Sequence, residues 1–116
     1  MPQRIPKLRL SDEALRLVAA RFKTLSEPTR LKLLMALEER ECHVTELVQA
    51  TRATQTNVSR QLRILTEAGI LARTKRGVSV FYRIADPAIF DLCRHVCGSL
   101  EKQLAEQGTA STWFRA

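Results

Sequence analysis

Apolar positions fall into a succession of helical stripes, broken once by a stretch of strict alternation. Leu15, Val18, Ala19 and Phe22 recur on one helix face and predict a first helix over about Asp12–Lys23. Ser11-Asp12-Glu13 suits its start, with a side-chain acceptor for an unpaired N–H and acids at the positive end of the dipole. Ser26-Glu27-Pro28 opens a second helix, because a first-turn proline gives up an N–H that has no partner there. Leu31, Leu33, Leu34, Met35 and Leu37 spread widely around that helix, which places it at the centre of the expected core.

A short third helix carries Val44, Leu47 and Val48, with Thr45 as its expected cap. Thr51-Arg52-Ala53 is a tight connection, after which Thr54 or Thr56 caps a fourth helix with Val58, Leu62 and Leu65 on its inner face. Gly69 stands where a left-handed residue would end that helix. Two helices joined by so short a turn form the helix-turn-helix pattern. Beyond it, Val78, Val80, Tyr82 and Ile84 alternate with Ser79, Phe81 and Arg83, and Lys75-Arg76-Gly77 is read as the turn of a β-hairpin. Asp86-Pro87 starts a last helix over about Pro87–Glu106, striped by Ile89, Cys93, Val96, Leu100 and Leu104. Phe90, Leu92 and Cys97 make that stripe wider than one small domain can cover. An antiparallel pairing with a second copy, joined by the first helix, is therefore expected.

The expected fold is mainly α with a small β-hairpin (α+β): a winged helix-turn-helix of five helices and a two-stranded wing, dimerising through its terminal helices. Residues 1–10 read as a basic arm, 11–106 as the DNA-binding and dimerisation domain, and 107–116 as a flexible tail. Trp113 and Phe114, in that tail, have no role in the pattern.

Composition sharpens this picture through charge. The chain has 116 residues, enough for one domain, and a formal net charge of +7. Between residues 52 and 76 stand Arg52, Arg60, Arg63, Arg73, Lys75 and Arg76 against a single acid, Glu67. The arm adds Arg4, Lys7 and Arg9, and elsewhere the charges nearly cancel. Such a cluster suits a phosphate backbone. The outer face of the fourth helix shows Gln55, Thr56, Asn57, Ser59, Arg60 and Arg63. Gln and Asn can pair with adenine and Arg with guanine, while Ser and Thr hold phosphates. Arg73, Lys75 and Arg76 then serve as phosphate contacts on the wing. Double-stranded DNA is the expected partner. The alternative is a winged-helix module that docks protein or RNA without sensing an effector; it would tolerate changes at Gln55 and Ser59.

Other classes are excluded. There are no paired carboxylates, no nucleophile with a base and no phosphate-binding glycine loop, so an enzyme is not expected. No run is long and apolar enough for a membrane span, and the N-terminus lacks the apolar region of a signal peptide. A soluble cytoplasmic protein without a membrane partner is expected. Three cysteines, an odd number, do not make a disulfide framework.

Leu25-Ser26-Glu27-Pro28-Thr29-Arg30-Leu31, Thr54-Gln55-Thr56-Asn57-Val58-Ser59-Arg60-Gln61-Leu62 and Tyr82-Arg83-Ile84-Ala85-Asp86 together carry a family signature. Over roughly residues 12–106 the chain resembles the ArsR/SmtB family of bacterial metal- and redox-responsive repressors. The resemblance implies a homodimer that sets two recognition helices into successive major grooves of an imperfect inverted repeat. It also implies DNA contacts at Gln55, Thr56, Ser59 and Arg60.

The metal sites of that family are not intact here. Its box of the form Glu-Leu-Cys-Val-Cys-Asp-Leu corresponds to Glu41-Cys42-His43-Val44-Thr45-Glu46-Leu47, with His43 and Thr45 at the thiol positions. Its last-helix zinc pattern finds Asp91-x-Cys93, then Leu104 and Gln107 in place of a His and a Glu. Cys93 and Cys97 share one helix side and face the expected dimer seam, where a second copy would bring four thiols together. Thiolates suit Zn(II), Cd(II), Cu(I) or trivalent arsenic, and close thiols also suit oxidative or persulfide chemistry. Cys42 joins them only if the fold brings it to the last helix. The effector is thus either a thiolate-bound metal(loid) ion or a redox or persulfide signal needing no cofactor. Against both stands the plain reading that these cysteines are small buried hydrophobes.

Overall fold

Five helices and three strands make up the computed structural model, which describes residues 7–108. They follow as α1 (Asp12–Thr24), α2 (Pro28–Leu37), β1 (Cys42–His43), α3 (Val44–Thr51), α4 (Gln55–Glu67), β2 (Leu71–Arg76), β3 (Ser79–Ile84) and α5 (Ala88–Glu106). Trp113 and Phe114, like the first six residues of the arm, lie outside the described residues.

The helices begin much as their sequences dictate. Ser11 accepts a hydrogen bond from the Ala14 N–H at 3.2 Å, and Glu27 accepts one from the Arg30 N–H at 3.1 Å. The third helix is capped differently from expectation. His43, not Thr45, is its cap: His43 Nδ1 accepts from the Thr45 N–H at 3.2 Å, and Glu46 Oε1 accepts from the His43 N–H at 3.0 Å. An imidazole thus stands where such a reciprocal box usually holds Ser or Thr, which is why the sequence pattern pointed two residues too far.

The wing also differs. The hairpin of β2 and β3 is joined by β1, giving an antiparallel sheet of order β1-β3-β2 in which Cys42 pairs with Tyr82 and His43 with Phe81. A two-residue strand is too short to show alternation, so the expected two-stranded wing is one strand short. Lys75 and Arg76 lie within β2, and the turn is Gly77-Val78, with Gly77 at φ 61°. A positive φ at the first central residue suits a two-residue hairpin turn.

The core joins Leu33, Leu34 and Leu37 of α2 to Leu47 of α3 and to Val58, Leu62 and Leu65 of α4, closed by Ile70, Leu71, Tyr82 and Ile89. Leu31 and Met35 were expected in it and are exposed, on the side of α2 that faces α5. In α1 no residue is buried, and in α5 only Ile89 is.

Candidate nucleic-acid interface

The fourth helix presents two chemically opposite faces. Val58, Leu62 and Leu65 are 0% exposed, so one face is fixed in the core. Gln55, Thr56, Ser59, Arg60 and Arg63 are exposed on the other. Between the two possible caps, Thr54 is the one used: its Oγ1 accepts from the Asn57 N–H at 3.1 Å, leaving Thr56 on the outer face. The first turn holds no acid, so nothing offsets the positive end of the helix dipole, which favours a phosphate.

Both ends of α4 are set by the backbone. Arg52 takes the left-handed conformation, φ 58°, and turns the chain from α3 into α4. At the far end the Ile70 N–H donates to Leu65 O at 3.1 Å and the Gly69 N–H to Thr66 O at 3.0 Å, with Gly69 at φ 78°. That pair of bonds is the Schellman closure expected of a glycine one residue past the C-cap, here Ala68. Arg21 of α1 adds a strut, donating to Ala68 O at 2.9 Å and pairing with Asp86 at 3.4 Å.

Asn57 differs from its exposed neighbours. It is half-buried, and its Oδ1 accepts from Arg60 Nη2 at 2.9 Å and from Gln61 Nε2 at 3.1 Å. Gln61, 6% exposed, in turn accepts from Arg30 Nη1 at 2.5 Å. Sequence reasoning did not single out Gln61 or Arg30; the available signal was a lone amide on the core-facing side of an amphipathic helix.

The wing carries its cations unequally. Arg73 and Lys75 are exposed on β2. Arg76 instead makes a two-pronged pair with Glu41, at 2.5 and 3.2 Å, and lies over the Phe81 ring at 5.0 Å. Arg83 donates to Thr74 Oγ1 at 3.2 Å across the hairpin.

A two-faced helix following a short helix and a left-handed turn, with a cationic hairpin beside it, is the geometry of a winged helix-turn-helix. Comparison with known proteins agrees. A family model for bacterial regulatory proteins of the arsR family matches residues 27–73. The transcriptional repressor SmtB homolog of Synechocystis is 33% identical over 84% of this chain and 73% of its own length. The chain belongs to the ArsR family. Its fold matches the crystal structure of Rv0081 from Mycobacterium tuberculosis with a TM-score of 0.77, at 33% identity, covering 85% of this chain and all of the other. It also matches the homodimeric winged helix-turn-helix DNA-binding domain of Mb0332 from Mycobacterium bovis, with a TM-score of 0.71, at 28% identity, covering 84% and 93%. This ArsR-family protein is a transcription regulator, not an enzyme. No helix among its described residues is long and apolar enough to cross a membrane.

The cysteines of this ArsR-family chain occupy two different settings. Cys42 is buried on β1, its Sγ near Ala36 O and Arg40 O at 3.8 and 3.6 Å. Burial raises its pKa. Cys93 and Cys97 line an apolar groove of about 330 Å³ with Phe22, Leu31, Met35 and Val96. Cys93 is half-buried and Cys97 exposed. Burial, then the neighbouring Cys97, raises the Cys93 pKa. Among the described residues no three His, Cys, Asp or Glu side chains of one chain are grouped to hold a metal, so Cys42 does not complete a set with the α5 pair. His43 is committed to capping α3, and His95 is exposed.

Proposed function

We propose that the protein is a homodimeric transcriptional repressor that sets α4 of each subunit into a major groove of an inverted-repeat operator. Gln55, Thr56, Ser59, Arg60 and Arg63 face the groove, Asn57 supports them from the helix flank, and Arg73, Lys75 and Arg76 reach flanking phosphates. The two-faced α4 carries this reading: its inner face is wholly buried, while its outer face bears amides, hydroxyls and arginines with no acid in the first turn. Arg76 reaches a phosphate only by exchanging Glu41 for it, an exchange of one anion for another at an exposed pair.

Dimerisation rests on a separate observation. Leu15, Val18 and Phe22 of α1 and Val96 and Leu100 of α5 are all exposed, on two helices that the single chain leaves almost wholly unburied. The homodimeric Mb0332 domain, of the same fold, supports a second copy as their cover.

The effector acts at Cys93 and Cys97. They line the groove between α5 and α2; in the proposed dimer this groove lies against the seam, and two subunits would bring four thiols to it. Their surroundings are apolar, which favours a soft, thiophilic species (a metal(loid) ion, or a persulfide or oxidant) over a hard hydrated cation. Binding there that shifts the seam would weaken operator binding by about 5–150-fold, the range of ordinary allosteric coupling.

The test is fluorescence anisotropy with a duplex selected by the protein from a randomised pool. Tighter binding to that duplex than to random DNA is expected, with Arg60→Ala losing the preference and Lys75→Ala reducing the salt slope by about one. No preference would overturn the repressor reading and favour a protein- or RNA-docking module. Arsenite, cadmium, zinc, polysulfide and peroxide are then added to wild type and to Cys42→Ser, Cys93→Ser and Cys97→Ser. Release lost in the α5 variants and kept in Cys42→Ser is expected; a response unchanged in all three ends thiol sensing.

A further inference from the structure

Arg60 does not stand alone on the outer face of α4. Its Nη2 donates to Asn57 Oδ1 at 2.9 Å, and the same oxygen accepts Gln61 Nε2 at 3.1 Å. Gln61 Oε1 accepts Arg30 Nη1 at 2.5 Å. Arg30 is anchored in turn by the end of α1: its Nε donates to Thr24 O at 2.6 Å and its Nη2 to Lys23 O at 3.4 Å. Four side chains thus run in one chain of hydrogen bonds from the last turn of α1 to the exposed guanidinium of Arg60.

The polarity of that chain is forced. A guanidinium only donates, so Gln61 must turn its oxygen to Arg30 and its NH2 to Asn57. Asn57 must then present its oxygen inward, to Gln61, and that oxygen is the one Arg60 uses. Reverse either amide and Arg60 faces an NH2 group, which repels it. Burial of Gln61 keeps water from substituting for these partners and raises the cost of a broken link.

We infer that Arg30 and Gln61 are positioning residues for Arg60: they fix the amide of Asn57 and so the direction in which Arg60 meets DNA. The inference rests on the reading that α4 enters the groove. Neither residue touches DNA in it. Because Arg30 also holds the last carbonyls of α1, a helix of the proposed dimer seam, a shift of α1 is transmitted to the aim of Arg60 along the same bonds.

Gln61→Met tests this, since it keeps length and burial and removes both hydrogen bonds. Binding is measured to the selected duplex and to random duplex, in wild-type and Arg60→Ala backgrounds, beside thermal unfolding. The expected result is about tenfold weaker binding to the selected duplex, unchanged binding to random duplex, and no further loss when Arg60 is already Ala. Wild-type affinity of Gln61→Met for the selected duplex would overturn the inference. So would an equal loss on both duplexes, or a loss just as large in the Arg60→Ala background. Should Gln61→Met fold poorly, Arg30→Lys carries the same test, because an ammonium cannot reproduce the three-way fork. If Arg60→Ala alone leaves the preference intact, the groove reading itself fails and the inference falls with it.

Discussion

The block of α2, α3, α4 and the sheet contrasts with the pair α1 and α5. In the block, every helix sinks leucines or valines into one core, and Leu33, Leu47, Val58, Leu62 and Leu65 are 0% exposed. In the pair, helices of comparable apolar content leave Leu15, Phe22, Val96 and Leu100 in the open. Both regions are amphipathic by sequence. What separates them is whether one chain supplies the covering surface. The block is a completed fold that seats α4 in the core; the pair is left exposed by the single chain, and in the proposed dimer it is half of the interface and the place where a ligand would act on geometry.

Cutting into each region gives the largest test of that contrast. Leu62→Ala removes a fully buried side chain and is expected to destabilise the fold by about 2–5 kcal/mol, read by urea unfolding. Leu17→Ala, at an α1 position 75% exposed, is expected to change stability by less than about 0.5 kcal/mol. Equal losses would erase the distinction. Next in size is Val96→Glu on α5. A charge placed in the seam is expected to raise the dimer dissociation constant about a hundredfold by sedimentation while the unfolding of the monomer core is retained. A dimer of wild-type strength would move the interface elsewhere.

The same contrast explains what could be read from sequence. Helices whose apolar stripes meet the core, α2 to α4, were legible because burial and periodicity coincide there. The width of the α5 stripe, more than one domain covers, pointed to the exposed pair. Three features escaped. β1 is two residues long and exists because β3 offers it an edge, which no local pattern records. His43 caps α3 because its ring nitrogen reaches the Thr45 N–H, a use of imidazole outside the common cap residues. Leu31 and Met35 have core chemistry, but sit on the side of α2 turned to the groove. Within the candidate interface, exposed residues followed from helix phase. The chain of bonds from Arg30 to Arg60 did not, because it joins residues 31 apart whose contact depends on how α2 packs on α4.

A smaller effect concerns the thiols, and it probes both regions with one titration. Burial raises the pKa of Cys42 in the block and of Cys93 in the pair above the ordinary 9.0. A thiol whose folded pKa is raised binds its proton more tightly in the folded state. Its contribution to stability is therefore complete below the unfolded pKa and is lost as pH rises through the folded one. Stability is expected to fall on the alkaline side, with Cys42→Ala and Cys93→Ala each removing part of the slope. By the same sign, alkylation of Cys93 by iodoacetamide, followed by mass spectrometry, is expected to be slower at neutral pH than that of an unstructured cysteine peptide and to climb further with pH. Alkylation at the peptide rate would mean that the groove does not shield Cys93.

The smallest effect lies at the one strained residue of the well-packed block. Arg52 adopts φ 58°, a conformation that costs a residue with a Cβ about 1 kcal/mol relative to glycine, and it does so at the turn that sets α4 against α3. Arg52→Gly relieves that strain but loosens the unfolded chain, so the net gain is expected to be only about 0.5 kcal/mol. Arg52 is also exposed and belongs to the cationic run that includes α4 and the wing. If its charge faces a phosphate, the same substitution lowers the salt slope of DNA binding by about one while leaving sequence preference untouched. A variant that is more stable and binds DNA less steeply with salt would show that the block tolerates strain at this turn where a cation serves the interface. An unchanged salt slope would remove Arg52 from the interface and leave its strain unexplained by binding.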